Sequence, residues 1–215
     1  MKDQKTWSGT VASAYDRGSA GYAQSWTTPH PWMEECRYRF AGLVSPGKTL
    51  IDIGCGPGHD SAYWAAKGLR TLGIDISAKT IEGARRLYPA LEFEVMDALE
   101  LEKFYRYFDV AWMAYSLLHI SRETAPAVIA AVHSRLHKNG LFFIETPILE
   151  STQESLRPIA GLKDENGREI EVPYTAWSID DLTALLKASF TIEWTKTYAP
   201  LPARPKSWSA ILRPV

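Results

Sequence analysis

The chain has 215 residues, 46% hydrophobic and 23% charged, with a formal net charge of −1. That balance excludes a largely disordered chain, and the length leaves room for one substantial core. No run of about 18 apolar residues predicts a transmembrane helix, and the near-neutral charge leaves no broad basic footprint for nucleic acid. The polar start, MKDQKTWSGTVASAYDRG, resembles neither a secretory signal nor a transit peptide, so a cytoplasmic location is expected. Cys36 and Cys55 are too few and too differently placed to predict a disulfide framework or a zinc site.

Residues 1–48 read as a helical extension, with helices over 11–23 and 31–44 separated by Thr27-Thr28-Pro29-His30-Pro31. From 49 to 146, short apolar runs alternate with amphipathic stretches, the pattern of βαβ units around a buried parallel sheet. Strands are predicted over 50–53, 70–74, 91–95, 108–114 and 141–144. The helix over 59–67 is closed by Gly68, the next is capped by Ser77 and stopped by Pro89, and a third spans 122–137 with Asn139-Gly140 as its stop. Asn166-Gly167 is a hairpin signal inside a late insertion. A helix from Ser178 and two β-rich segments, 190–198 and 208–212, finish the chain. The expected organisation is one domain, 1–215, divided into extension (1–48), core (49–146) and insertion with C-terminal part (147–215).

The stretch Asp52-Ile53-Gly54-Cys55-Gly56-Pro57-Gly58 lies between a strand and a helix. Glycines there let the main chain turn tightly and approach a ligand, and the following helix start presents unpaired amide donors. The spacing is G-x-G-x-G with His59 next, which disfavours the dinucleotide pattern G-x-G-x-x-G. Asp75 ends the second strand about 20 residues on, where a carboxylate can accept both hydroxyls of a ribose. Asp97, after Met96 at the end of the third strand, either caps a turn or accepts from an exocyclic amine.

These residues resemble the class I S-adenosylmethionine-dependent methyltransferases. The match runs through LIDIGCGPGHDSAYWAAKG (50–68), TLGIDIS (71–77), VMDALEL (95–101), FDVAWMAYSLLHIS (108–121) and LHKNGLFFIET (136–146). The resemblance implies a Rossmann-like, doubly wound α/β fold with a seven-stranded sheet in the order 3-2-1-4-5-7-6, strand 7 antiparallel, and an N-terminal helical lid. It implies S-adenosylmethionine as cofactor. Gly54, Cys55, Gly56 and Gly58 would line the methionine part and Asp75 would hold the ribose. Ile76, Met96, Asp97 and Ala98 would surround the adenine. Asp52 would order the glycine loop and the ammonium, and Ala114 with Tyr115 would lie beside the methionyl head.

Methyl transfer relies mainly on positioning and desolvation, with a base of use for some acceptors. His119 is the candidate base, and a histidine packed for structure is the alternative. Tyr15 and Tyr22, seven apart on one helical face, either reach cofactor and acceptor from a lid or form a core stripe. Arg37 either pairs with the methionyl carboxylate or lies solvated on its helix. Trp26, Trp32, Met33 and Trp177 suggest an apolar acceptor pocket, and Glu145, Tyr174 and His30 are further polar candidates. No metal site is predicted. The expected function is methylation of an oxygen or nitrogen of a small, aromatic or apolar metabolite, without nucleic-acid or membrane partners. The alternatives are a tellurite- or thiol-detoxifying methyltransferase and a non-catalytic binder of the cofactor. Oligomeric state is not legible.

Overall fold

A computed structural model describes residues 4–25, 31–199 and 206–215. Two helices, α1 (Gln4–Ser25) and α2 (Pro31–Ala41), precede the alternating unit β1 (Thr49–Ile53), α3 (His59–Ala66), β2 (Arg70–Asp75), α4 (Ala78–Leu87), β3 (Glu92–Val95), β4 (Phe108–Ala114), α5 (Ala125–Arg135) and β5 (Leu136–Pro147). Short 3-10 turns cover Ala98–Lys103 and Leu117–His119. The hairpin β6 (Gln153–Lys163) and β7 (Glu169–Ala176) follows, then α6 (Ile179–Lys187), β8 (Phe190–Tyr198) and β9 (Ser207–Pro214).

Seven strands form one sheet in the order β3-β2-β1-β4-β5-β9-β8, and β6-β7 stand apart as a second sheet. With the hairpin set aside this is the order 3-2-1-4-5-7-6 expected from the sequence. The pairs from β3 to β5 are parallel, and β9 runs antiparallel to both β5 and β8. Side-chain alternation sorts the strands between two cores. Ile51, Ala111, Met113, Phe142 and Ile144 face the side packed by α5 and α6. Leu50, Val110, Trp112, Leu141 and Phe143 face α2 and α3. There Trp112 stacks on Phe143 at 3.9 Å, and Phe40 and Trp64 meet Trp112 edge-on, so large aromatic areas fix the α2 side of the sheet.

Two helical expectations need correction. The third core helix ends at Arg135, and Asn139-Gly140 is no helix stop but part of β5. The β4–β5 register jumps from Phe108↔Leu136 to Val110↔Leu141, which makes residues 137–140 a bulge. A Cβ on Gly140 would lie 2.9 Å from the His137 carbonyl oxygen and 3.2 Å from that of Asp109, so the bulge requires glycine. Helix α1 is also longer than its apolar stripe, because its first turns gain tertiary anchors such as Trp7 Nε1, which donates to the His119 carbonyl at 2.9 Å.

Helix α1 lies over the carboxyl ends of the strands, against β6, β7 and α4. Val11, Ala14 and Tyr15 pack on Leu162, Ile170 and Val172 of the hairpin. Among the described residues no helix is long and apolar enough to cross a membrane.

Candidate active site

The site starts at the loop after β1. Gly54 and Cys55 both donate their amides to the Ile74 carbonyl, at 2.8 and 2.9 Å, which bends the loop across the end of β2. Gly54 has φ 71°, and a Cβ there would meet Ser116 Cβ at 2.4 Å. Ser116 itself donates to the Ile53 carbonyl at 2.7 Å, locking the ends of β1 and β4 together. Glycine at 54 is therefore demanded by conformation and by space.

Two cavities open on this loop. One, of about 90 Å³, is lined by Tyr15, Asp75, Ile76, Met96, Asp97, Ala98 and His119, among others. The other, of about 410 Å³, is lined by Met33, Arg37, Asp52, Cys55, Asp60 and Ala114, among others. Tyr22, Gly54, Gly56 and Tyr115 line both and mark where they meet. Tyr115 is the one described non-glycine residue with positive φ, at 56°, and its hydroxyl pairs with Ser207 Oγ at 2.7 Å. Strain of that kind concentrates at functional sites.

Asp75 is held by two amides: Gly56 N donates to Oδ2 at 3.0 Å and Ser77 N to Oδ1 at 2.9 Å. Burial pushes its carboxyl up to about 6, and the two amides oppose that rise. Each oxygen keeps lone-pair capacity toward the cavity, so the residue fits a vicinal diol. Asp97 adopts its capping role: Oδ1 accepts from Leu99 N at 3.0 Å, and Glu100 reaches back to the Asp97 amide. It lines the cavity from that position. Asp52 is 2% exposed and accepts from Ser61 Oγ at 2.7 Å; burial first, then neighbouring Asp60, hold its carboxyl above the ordinary range.

His119 has both ring nitrogens engaged. Nδ1 lies 2.9 Å from the Pro173 carbonyl oxygen and Nε2 lies 2.7 Å from Tyr15 Oη. A carbonyl only accepts, so Nδ1 carries the hydrogen and Nε2 takes the Tyr15 hydroxyl proton in a hydrogen bond. Burial lowers the imidazole to about 4 and raises the Tyr15 phenol, so both are neutral at pH 7. Tyr15 also meets Tyr22 edge-on, with centroids 4.9 Å apart. The two tyrosines thus share one face of α1, as the seven-residue spacing predicts.

Other expectations change. Arg37 is not solvated: it is 7% exposed, donates to Asp60 and Glu34, and lies over the Tyr63 ring at 4.4 Å. Its guanidinium is already engaged by two acids, so it reaches a ligand only as part of that cluster. The Cys55 side chain packs with Ile81, Ala84 and Phe93, and the residue still lines the larger cavity. Trp177 is core, 2% exposed, and Tyr174 is buried under Arg157; neither lines the two cavities. Trp32 donates its indole N–H to the buried Glu145, pinning α2 to the end of β5, while Met33 does line the larger cavity. Trp26 and His30 lie outside the described residues. Among the described residues no group of three His, Cys, Asp or Glu side chains could hold a metal ion. Sequence reasoning missed Asp60, Ser116 and Asp16; Asp60 follows the glycine loop by two residues, and the others carry no local pattern.

Comparison with known proteins matches the geometry. Residues 50–140 match the methyltransferase domain family. An uncharacterized methyltransferase of Synechocystis is 25% identical over 199 residues, covering 82% of this chain and 90% of that one. The 27-O-demethylrifamycin SV methyltransferase of Amycolatopsis mediterranei is 31% identical over 166 residues, with 61% of each chain covered. Among solved structures, the 1,6-didemethyltoxoflavin-N1-methyltransferase of Burkholderia thailandensis, with 1,6-didemethyltoxoflavin and S-adenosylhomocysteine bound, superposes with a TM-score of 0.77. That match is 19% identical and covers 100% of this chain and 92% of the other. With this sheet order, glycine loop and strand-end acids, residues 50–140 form a methyltransferase domain that resembles the class I S-adenosylmethionine-dependent methyltransferases.

Proposed function

We propose that the protein methylates an oxygen or nitrogen of a small aromatic or otherwise largely apolar molecule, using Tyr15 and His119 as its proton-accepting pair. The observation that carries this reading is that the Tyr15–His119 pair, held by the Pro173 carbonyl, lines the same cavity as Asp75. The pair favours catalysis over simple cofactor binding because it sets a hydrogen-bond acceptor, Tyr15 Oη, in the cavity beside Asp75. The relatives named for a rifamycin derivative and a toxoflavin precursor support a small heteroatom-bearing acceptor. In this reading residues 1–215 act as one methyltransferase domain, with 1–48 as lid, 49–146 as cofactor core and 147–215 as the part that completes sheet and roof.

Asp75 accepts the ribose hydroxyls, and Ile76, Met96, Asp97 and Ala98 enclose the adenine. The Gly54–Gly58 backbone, Asp52, Tyr22, Ala114 and Tyr115 surround the methionyl part, and the Arg37–Asp60 cluster closes its far end. Bound S-adenosylmethionine supplies an electrophilic methyl on a sulfonium centre. Tyr15 Oη, which donates to His119 Nε2, takes a hydrogen bond from the acceptor's O–H or N–H. As the acceptor gains the methyl, its proton passes to Tyr15 while the Tyr15 proton passes to His119 Nε2. The transfer extinguishes one positive charge in the cleft and the imidazolium restores one, so the buried net charge is unchanged at the moment of reaction. That compensation offsets the resistance of a buried imidazole to protonation.

The test is release of S-adenosylhomocysteine from S-adenosylmethionine over a panel of small phenols, enols and N-heterocycles. Turnover with one of them should fall about 100-fold in His119→Ala and in Tyr15→Phe, the range for a general base, with S-adenosylhomocysteine affinity falling less than tenfold. Full turnover in both variants would remove the pair from the reaction.

A further inference from the structure

Tyr15 is followed by Asp16, and the two side chains take different partners. Tyr15 reaches His119, whereas Asp16 reaches the first turn of α4, next to the turn that follows Asp75. Asp16 Oδ1 accepts from Ser77 Oγ at 2.7 Å and from the Lys79 amide at 3.0 Å. It therefore satisfies one of the orphan amides of α4 from another helix. Ser77 is the hub of the connection. Its Oγ donates to Asp16 and accepts from Thr80 N at 3.1 Å, while its own amide donates to Asp75 Oδ1 at 2.9 Å. The other oxygen of Asp75 holds Gly56 N in the glycine loop. An unbroken hydrogen-bonded path thus runs from the glycine loop through Asp75 and Ser77 to Asp16, one residue from the phenol at His119.

We propose that Asp16 is a positioning residue that couples occupation of the Asp75 end of the cleft to the seating of α1, and so helps hold the Tyr15 phenol against His119. The inference rests on the cofactor assignment made above. Its physical basis is that α1 contributes Ser8, Val11, Tyr15 and Tyr22 to the smaller cavity from one helical face, so a ligand on Asp75 touches the helix that Asp16 fastens. A ligand seated on the preformed Asp75–Ser77 turn packs against that face of α1 and so favours the fastened helix. By linkage, fastening α1 must in turn strengthen ligand binding.

The probe is S-adenosylhomocysteine, added to the full chain, with hydrogen exchange of the α1 amides and calorimetric affinity as paired readouts. In the parent, saturating ligand should slow exchange over residues 8–25 at least tenfold. In Asp16→Ala the ligand should still bind, three- to tenfold more weakly, but its protection of α1 should shrink to less than twofold while β1 and β4 exchange as in the parent. Asp16→Asn keeps an acceptor oxygen for both donors and should restore affinity and protection to within twofold of the parent. Ser77→Ala cuts the same bond from the other side, together with the Thr80 cap, and should likewise reduce the protection of α1 to less than twofold; this arm decides the matter should Asp16→Ala fail to fold. Ligand-dependent protection of α1 undiminished in the alanine variants would overturn the coupling, as would an asparagine variant as impaired as alanine. If the parent itself binds no S-adenosylhomocysteine, the cofactor assignment fails first and the coupling with it.

Discussion

The floor and the roof of the cleft are built by opposite means. The floor, from Gly54 to Ala98, is made of strand ends and backbone amides: the Ile74 carbonyl holds the glycine loop, and Gly56 N and Ser77 N hold Asp75. The roof, α1 with the β6–β7 hairpin, is made of side chains reaching down from one helix, with Tyr15, Asp16 and Trp7 as its anchors. Backbone contacts at the ends of buried strands are over-determined by the sheet, whereas three side-chain anchors on a surface helix open at lower cost. The difference suits a site whose cofactor end must be preformed and whose cover must admit ligands.

The floor should break hardest. Gly54→Ala places a Cβ against Ser116 in a left-handed conformation, and we expect a loss of about 3 kcal/mol with a drop in Tm of roughly 10 °C. A melt within 2–3 °C of the parent would mean that the β1–β4 lock yields more easily than its geometry implies. Asp75→Ala should leave the fold intact and weaken S-adenosylhomocysteine on the order of 1.5–3 kcal/mol, ten- to a hundredfold. The same residue sets a pH signature. Its carboxyl is raised to about 6, and the ionised form is the one that accepts two hydroxyls, so binding is full above pH 6 and weakens as pH falls through that value. From pH 7.5 to pH 5 the affinity should fall about tenfold. Asp75→Asn should flatten that segment, and an unchanged slope in the variant would place the titrating group elsewhere.

This asymmetry also explains what could be read in advance. The floor was legible because its requirements are local: Gly54 and Gly58 follow an apolar strand, Asp75 and Asp97 end the next two, and period-two alternation marks each strand. The complete sheet order came from resemblance to a family, since strand order has no local signature. The roof was legible only as a helix with two tyrosines on one face. That Tyr15 meets His119, 104 residues away, and that Asp16 caps a helix 61 residues on, are consequences of folding with no local pattern to announce them. For Arg37 the sequence left two readings open, and of these the solvated one falls once Asp60 and Tyr63 are brought beneath it. Asn139-Gly140 reads as a helix stop because the same two residues that end helices also serve a β-bulge.

The smallest predicted effect isolates the roof itself, through three glycines of α1. Replacing a helical glycine by alanine gains roughly 1 kcal/mol where nothing opposes it. At Gly9 a Cβ would meet nothing within 4 Å, so Gly9→Ala should raise stability by about that amount. At Gly18 the obstacle is Leu162 Cδ1 at 2.6 Å, the far end of a side chain that can turn aside, and the gain should be partly cancelled. At Gly21 the obstacle is the Gly161 carbonyl oxygen at 2.9 Å, a backbone atom of β6 that moves only with the hairpin. Gly21→Ala should therefore gain nothing and lose up to about 1 kcal/mol. Thermal melts of the three variants should rank Gly9→Ala above Gly18→Ala above Gly21→Ala. Equal stabilisation at all three positions would show that α1 does not rest on the hairpin in solution, and the roof would then be the helix alone.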